Sequence, residues 1–187
     1  MERLQRAAIL TELMERLREN GCWCGHTHIQ KAVYFLQEVL GVPTGFDYIL
    51  YKYGPFSFEL EEDLTALRAD FLMEFDHRSP GYGPKLVPTE TSKFFRSQYQ
   101  KALDPFRSRL EFIAKTFGSK VVTDLEKLAT ALFVTRKMGD TAGLAERASR
   151  IHELKPHVSV SDAQTALQEF ERIARDAKAL VTQATHA

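Results

Sequence analysis

A change of hydrophobic pattern between residues 27 and 72 constrains the fold of this chain more than any other feature. Apolar residues recur at helical spacing over 29–40, an aromatic and branched run follows over 46–53, and helical spacing returns over 60–71. Aromatic and branched residues favour extended backbone, so this order predicts a helix, a strand and a second helix.

The expected ends of these elements carry recognisable capping and turn residues. Thr27 is a candidate N-cap with Gln30 three residues later, the spacing of a capping box. Gly54-Pro55 is typical of a tight turn after the strand, and Ser57 is expected to cap the next helix. The buried side of that helix is expected to consist of Leu60, Leu64, Leu67 and Phe71.

The flanking segments complete a winged-helix-like order. An amphipathic helix is expected over 4–17, and strands over 72–77 and 85–88 would form a hairpin, with Pro88 at a strand end. We therefore predict a mainly α protein of the α+β type, with a winged-helix-like N-terminal half that carries a small antiparallel β-sheet. The strand at 46–53 departs from the commonest winged-helix topology.

The second half of the chain reads as packed helices. A helical segment over 89–117 is expected to break at Asp104-Pro105, and a capping box at Thr123 would open a helix that Gly139 ends. A further helix is expected over 141–154, and Ser159 or Ser161 would cap the last one. We expect residues 1–90 and 91–187 to form one unit, because no linker separates them.

Composition excludes some classes of protein. The 25 basic and 25 acidic residues cancel, which argues against a general nucleic-acid binder. No apolar run approaches the roughly 20 residues of a membrane span, and the N-terminus lacks the apolar core of a signal peptide. The two cysteines are only two positions apart, which is too close for an easy loop-closing disulfide. A reducing cytoplasmic compartment is therefore the expected location.

Four potential metal ligands lie close together, at Cys22, Cys24, His26 and His28. Four ligands within seven residues can hardly surround one ion tetrahedrally, so we predict no metal site. No nucleophile, base and orienting group can be assembled from the sequence. We therefore predict no catalytic residue and no cofactor, and an enzyme acting on a small molecule is the third hypothesis.

The aromatic turn is the best candidate for a binding surface, because tyrosines bury a large area at low entropic cost. Packing of the same residues in the core is an equally good interpretation. The acidic start of the following helix would repel phosphates and suits a protein partner. The candidate interaction residues are Tyr51, Lys52, Tyr53, Gly54, Pro55, Ser57, Glu59 and Glu62.

The alternative function is a DNA-binding transcriptional regulator. Its phosphate contacts would come from Lys93, Arg96 and Lys101, although a solvated helix face explains the same pattern better. The sequence does not identify the protein partner, and it leaves a homodimer open.

Residues 28–36, followed by 51–57, resemble the YwgA-like bacterial proteins, and more distantly the Panacea (SocA-like antitoxin) domain with its Tyr-Gly-Pro motif. The first resemblance includes 125–132 and 154–157 and covers most of the chain, while the second covers about 27–100. The Panacea resemblance implies a non-catalytic protein-binding module, either an antitoxin that neutralises a toxin or an adaptor that delivers one to a protease. The helical extension beyond residue 120 departs from the minimal domain.

Overall fold

The fold is mainly helical and carries two short antiparallel hairpins. A computed structural model describes residues 1–77, 83–139 and 141–185. Its N-terminal elements are α1 (Arg3–Glu19), α2 (His26–Glu38), β1 (Ile49–Tyr51), β2 (Gly54–Phe56), α3 (Phe58–Ala69), β3 (Met73–Asp76) and β4 (Lys85–Pro88). Then come α4 (Glu90–Gln98), α5 (Gln100–Leu103), a 3₁₀ turn (Asp104–Phe106), α6 (Arg107–Phe117), α7 (Val122–Met138), α8 (Leu144–Leu154) and α9 (Val160–Thr185).

The strands form two separate two-stranded sheets, where the sequence predicted one small sheet. In the first hairpin Ile49 pairs with Phe56 and Tyr51 with Gly54, so the chain reverses at residues 52–53. In the second, Met73 pairs with Pro88. The expected strand at 46–53 is therefore shorter than predicted, and the Gly54-Pro55 turn was wrong because both residues lie in β2.

Several helix ends agree with the prediction and several do not. Ser57 caps α3 by accepting a hydrogen bond from the Leu60 amide at 3.3 Å, and Gly139 ends α7 with φ +78°. The caps expected at Thr27 and Thr123 were wrong, because α2 begins at His26 and α7 at Val122. Residues 78–82 of the expected loop lie outside the described residues.

One hydrophobic core contains residues from both halves of the chain. The Phe35 ring on α2 contacts Phe117 on α6, with 4.7 Å between ring centroids, and lies 6.3 Å from Phe170 on α9. The α3 side chains Leu60, Leu64 and Leu67 are buried as predicted. Phe71 was expected beside them but is 76% exposed, because it follows the end of α3 with a left-handed φ of +58°.

No helix within the described ranges is both long and apolar enough to cross a bilayer.

Candidate protein-binding surface

The first hairpin is positioned by its packing against α2 and α7. Gly54 has φ +87°, and a Cβ there would lie 3.4 Å from Lys31 Cε and 3.4 Å from Thr130 Oγ1. Neither of the two turn residues, Lys52 and Tyr53, has a positive φ. The left-handed conformation at this chain reversal is therefore adopted by Gly54, directly after the turn. Glycine is thus favoured at residue 54 both by its backbone conformation and by the close approach of two helices.

Two buried lysines hold the hairpin backbone from behind. Lys31 on α2 is 1% exposed and its Nζ donates to the Pro55 carbonyl oxygen at 3.0 Å. Lys155, which follows α8, is also buried and donates to the carbonyl oxygens of Tyr51 and Lys52. Hydrogen bonds from a charged group are among the stronger ones in proteins, so the lysines fix the hairpin at three carbonyls.

Burial shifts the pKa values of both lysines and of the nearby Glu126. Burial lowers the pKa of Lys31 from 10.5 to about 8, with Glu126 opposing the shift and Lys155 adding to it. Burial also lowers the pKa of Lys155 and raises that of Glu126. Each of the three groups therefore favours its neutral form more than it would in water.

A pH titration of stability will detect the burial of Lys31. Between pH 8 and pH 10.5 the Lys31 side chain binds more protons in the unfolded chain than in the folded one. The contribution of Lys31 to the free energy of unfolding therefore rises with pH in that window. We expect the free energy of unfolding of the wild type, minus that of Lys31→Met, to rise by about 2 kcal/mol between pH 7.5 and 10. Urea titrations at both pH values measure it, and a pH-independent difference would contradict the burial.

Gln30 fixes the junction between the hairpin and α3. Its Oε1 accepts from the Ser57 amide at 2.9 Å, and its Nε2 donates to the Ser57 carbonyl oxygen at 2.9 Å. The same Nε2 donates to Glu61 at 3.1 Å. Gln30 thus makes long-range contacts instead of the capping contact that was predicted with Thr27.

The outer side of the hairpin and the start of α3 carry exposed aromatic and apolar side chains. Tyr51, Tyr53 and Phe58 are 55%, 52% and 56% exposed, and Ile49 is 49% exposed. Ring centroids are 5.7 Å apart for Tyr51 and Phe56 and 5.1 Å apart for Phe56 and Phe58. Tyr51, Phe56 and Phe58 thus form a ring cluster, and Ile49 and Tyr53 are exposed on the same hairpin. We call these five residues the aromatic patch; exposed apolar side chains of this kind are typical of interaction sites.

Acidic side chains border the aromatic patch. Glu59 and Glu62 are exposed on α3. The Ser57 hydroxyl donates to Glu59 at 2.7 Å and is the main cause of the lowered pKa of that carboxyl. Glu59 is therefore charged at neutral pH and faces solvent beside the rings.

The structure divides the predicted interaction residues into two groups. Tyr51, Lys52, Tyr53, Glu59 and Glu62 are exposed and available to a partner. Gly54, Pro55 and Ser57 are buried and shape the hairpin, so their assignment to a binding surface stays a prediction. The sequence analysis missed Lys31, Lys155 and Glu126. Of these, Lys31 had a visible signal, because it is a lysine within the apolar run of α2.

The predicted phosphate-binding residues are not equivalent. Lys93 and Lys101 are exposed, but Arg96 is 7% exposed. Arg96 Nε lies 3.1 Å from Glu12, and Nη1 donates to Ser92 Oγ at 2.9 Å. Residues of α1 thus pair with the Arg96 guanidinium and cover it, and the role of Arg96 in nucleic-acid binding stays a prediction.

The enzyme hypothesis required a concave pocket with titratable groups. A cavity of about 110 Å³ lies behind the hairpin, and Glu126, Lys127, Lys155 and His157 are among its lining residues. Lys127 forms an ion pair with Asp162 at 3.4 Å, and Lys155 is bonded to the hairpin carbonyls. Both lysines thus have structural partners.

Within the described ranges, no three His, Cys, Asp or Glu residues are grouped to hold a metal ion.

Comparisons with known proteins do not assign this chain to a family. No family model matches the chain, and no curated protein matches it.

Proposed function

We propose that this chain is a non-catalytic protein-interaction module that captures its partner through the aromatic patch. The observation that carries the proposal is the exposure of Tyr51 and Tyr53, on a hairpin held by buried lysines, and of Phe58 at the start of α3, each about half accessible. A preorganised aromatic surface loses little conformational entropy when a partner covers it.

Charge favours a polypeptide partner over a polyanion. Glu59 and Glu62 stand beside the rings and would repel nucleic-acid phosphates. The same carboxylates would attract a partner with an apolar centre and basic residues at its rim. The burial of Arg96 weakens the DNA-binding alternative further.

The resemblance to the Panacea domain supports a more specific proposal. Residues 51–57, which carry its Tyr-Gly-Pro motif, include Tyr51, Tyr53 and Phe56 of the aromatic patch. We infer an antitoxin-like or phage-defence role in the cytoplasm, in which the module neutralises a toxin or delivers one to a protease.

Affinity capture from the native cell tests the proposal. The bait pair is the wild type and a double variant, Tyr53→Ala with Glu59→Lys. Because both side chains are exposed, the variant will fold normally, and we expect at least about tenfold less of one specific partner in its eluate, the size of a moderate interface hot spot. Quantitative mass spectrometry of the eluates measures the loss.

A matched variant controls for the loss of an exposed ring and a reversed charge. Phe94→Ala with Glu90→Lys makes the same two changes on α4, where Phe94 is 70% exposed and Glu90 lies in the first helical turn. It should capture the partner like the wild type. Equal capture by all three baits, with folding verified by circular dichroism, would rule out the aromatic patch.

A further inference from the structure

The connection between α1 and α2 brings two free cysteines together. The Cys24 amide donates to Cys22 Sγ at 3.0 Å, and Cys24 itself has a left-handed φ of +58°. Hydrogen bonds from Cys22 N to the Leu17 carbonyl and from Leu86 N to the Cys24 carbonyl hold the segment in place. The unusual backbone of Cys24 is therefore fixed from α1 and from β4.

A buried histidine stands beside this pair. His28 is 2% exposed, and its Nε2 is buried without a hydrogen-bond partner. The Cys24 thiol and then the His28 imidazole lower the pKa of Cys22, against the effect of burial. Contact with Cys22 and burial raise the pKa of Cys24. Cys22 is therefore the more acidic thiol of the pair.

The two cysteines differ in their position relative to the surface. Cys22 lines a surface cavity of about 280 Å³, whereas Cys24 is fully buried. Arg18 from α1, Asp76 from β3 and Lys85 from β4 line the same cavity.

We propose that Cys22 and Cys24 form a redox-active dithiol, in which a small hydroperoxide oxidises Cys22 and Cys24 resolves the product. The Cys22 thiolate attacks one peroxide oxygen, the O–O bond breaks, and the sulfur becomes a sulfenic acid while the other oxygen leaves and is protonated to water or an alcohol. The Cys24 sulfur then attacks Cys22 Sγ. The S–S bond forms, the S–O bond breaks, and the departing hydroxide takes the Cys24 proton to leave as water.

Trp23, the single tryptophan of the chain, lies between the two cysteines and reports on the reaction. Its indole donates to the Gly83 carbonyl at 3.3 Å, and Lys85 Nζ lies 4.0 Å from the ring centroid. Closing a disulfide across one residue must change the backbone around Trp23. We therefore expect oxidation to shift the fluorescence of Trp23 and a dithiol reductant to restore it.

Intact-mass spectrometry after treatment with equimolar hydrogen peroxide tests the proposal. The wild type should lose the mass of two hydrogen atoms as a monomer. Cys24→Ser should gain one oxygen at Cys22, trapped by dimedone, and Cys22→Ser should show neither change. His28→Gln should raise the pH at which the Cys22 thiolate appears by ultraviolet absorbance, which a purely structural role of His28 would not do.

Three results would overturn the dithiol. One is a wild type that gains oxygen without losing two hydrogen atoms. Another is a Cys22→Ser variant that reacts as fast as Cys24→Ser. The third is a disulfide between two copies of the chain in place of the intramolecular bond, seen as a dimer on non-reducing electrophoresis.

Discussion

Replacing Phe35 with alanine will lower the free energy of unfolding by about 4 kcal/mol, the usual cost of removing a buried aromatic ring. The Phe35 ring is fully buried and meets Phe117 and Phe170, which belong to the second half of the chain. The cavity would therefore weaken the packing between the two halves as well as within α2.

Urea titrations followed by two probes will measure this loss. Trp23 fluorescence reports on the N-terminal half, and far-ultraviolet circular dichroism reports mainly on the helices of the second half. We expect coincident transitions, because one core joins the halves. Phe94→Ala is the matched control, since that ring is 70% exposed and its removal should cost less than about 0.5 kcal/mol. Separate transitions would contradict the single unit.

Gly118→Ala will have an effect of similar size through steric overlap. A Cβ at residue 118 would lie 2.5 Å from Asn20 Cβ and 2.7 Å from the carbonyl oxygens of Ala114 and Asn20. Backbone oxygens cannot rotate away, so the overlap with Asn20, the residue that ends α1, must push α1 and α6 apart, and the overlap with Ala114 must distort the end of α6 itself. We expect a loss of about 3 kcal/mol in the free energy of unfolding, the upper part of the range for overpacked cores.

The matched control for this substitution is Gly83→Ala. A Cβ at residue 83 meets no atom within 4 Å, and its φ lies outside the left-handed region. Thermal unfolding of both variants should therefore show a large decrease in midpoint for Gly118→Ala and almost none for Gly83→Ala. Equal midpoints would mean that α1 and α6 are not in the close contact described here.

Local signals in the sequence predicted the elements that depend on local chemistry. Ser57 caps α3 and Gly139 ends α7 because each acts on its own helix end. The β4 strand was predicted with its observed bounds, residues 85–88. These features need no knowledge of what packs against them.

The failures come from contacts between distant residues. Gln30 was expected to complete a cap at Thr27, but its amide bonds the backbone of Ser57, which is 27 residues away. Arg96 looked like part of a solvated basic stripe, yet Glu12 of α1 pairs with it at 3.1 Å. No local pattern reveals such partners.

The candidate site was only half predictable for the same reason. The aromatic turn and the acidic residues after it indicated a binding surface, and its exposed members include Tyr51, Tyr53 and Glu59. The sequence could not show that Lys31 and Lys155 meet behind the hairpin, because they come from helical regions far apart in the chain.

Photo-crosslinking in the native cell tests the central proposal most directly. A photoreactive phenylalanine analogue replaces Tyr53, at the turn of the aromatic patch, or Phe94, which is similarly exposed on α4. The proposal predicts one protein crosslinked in high yield from residue 53 and not from residue 94. No crosslink at residue 53, or the same products from both positions, would contradict a partner-binding role for the aromatic patch.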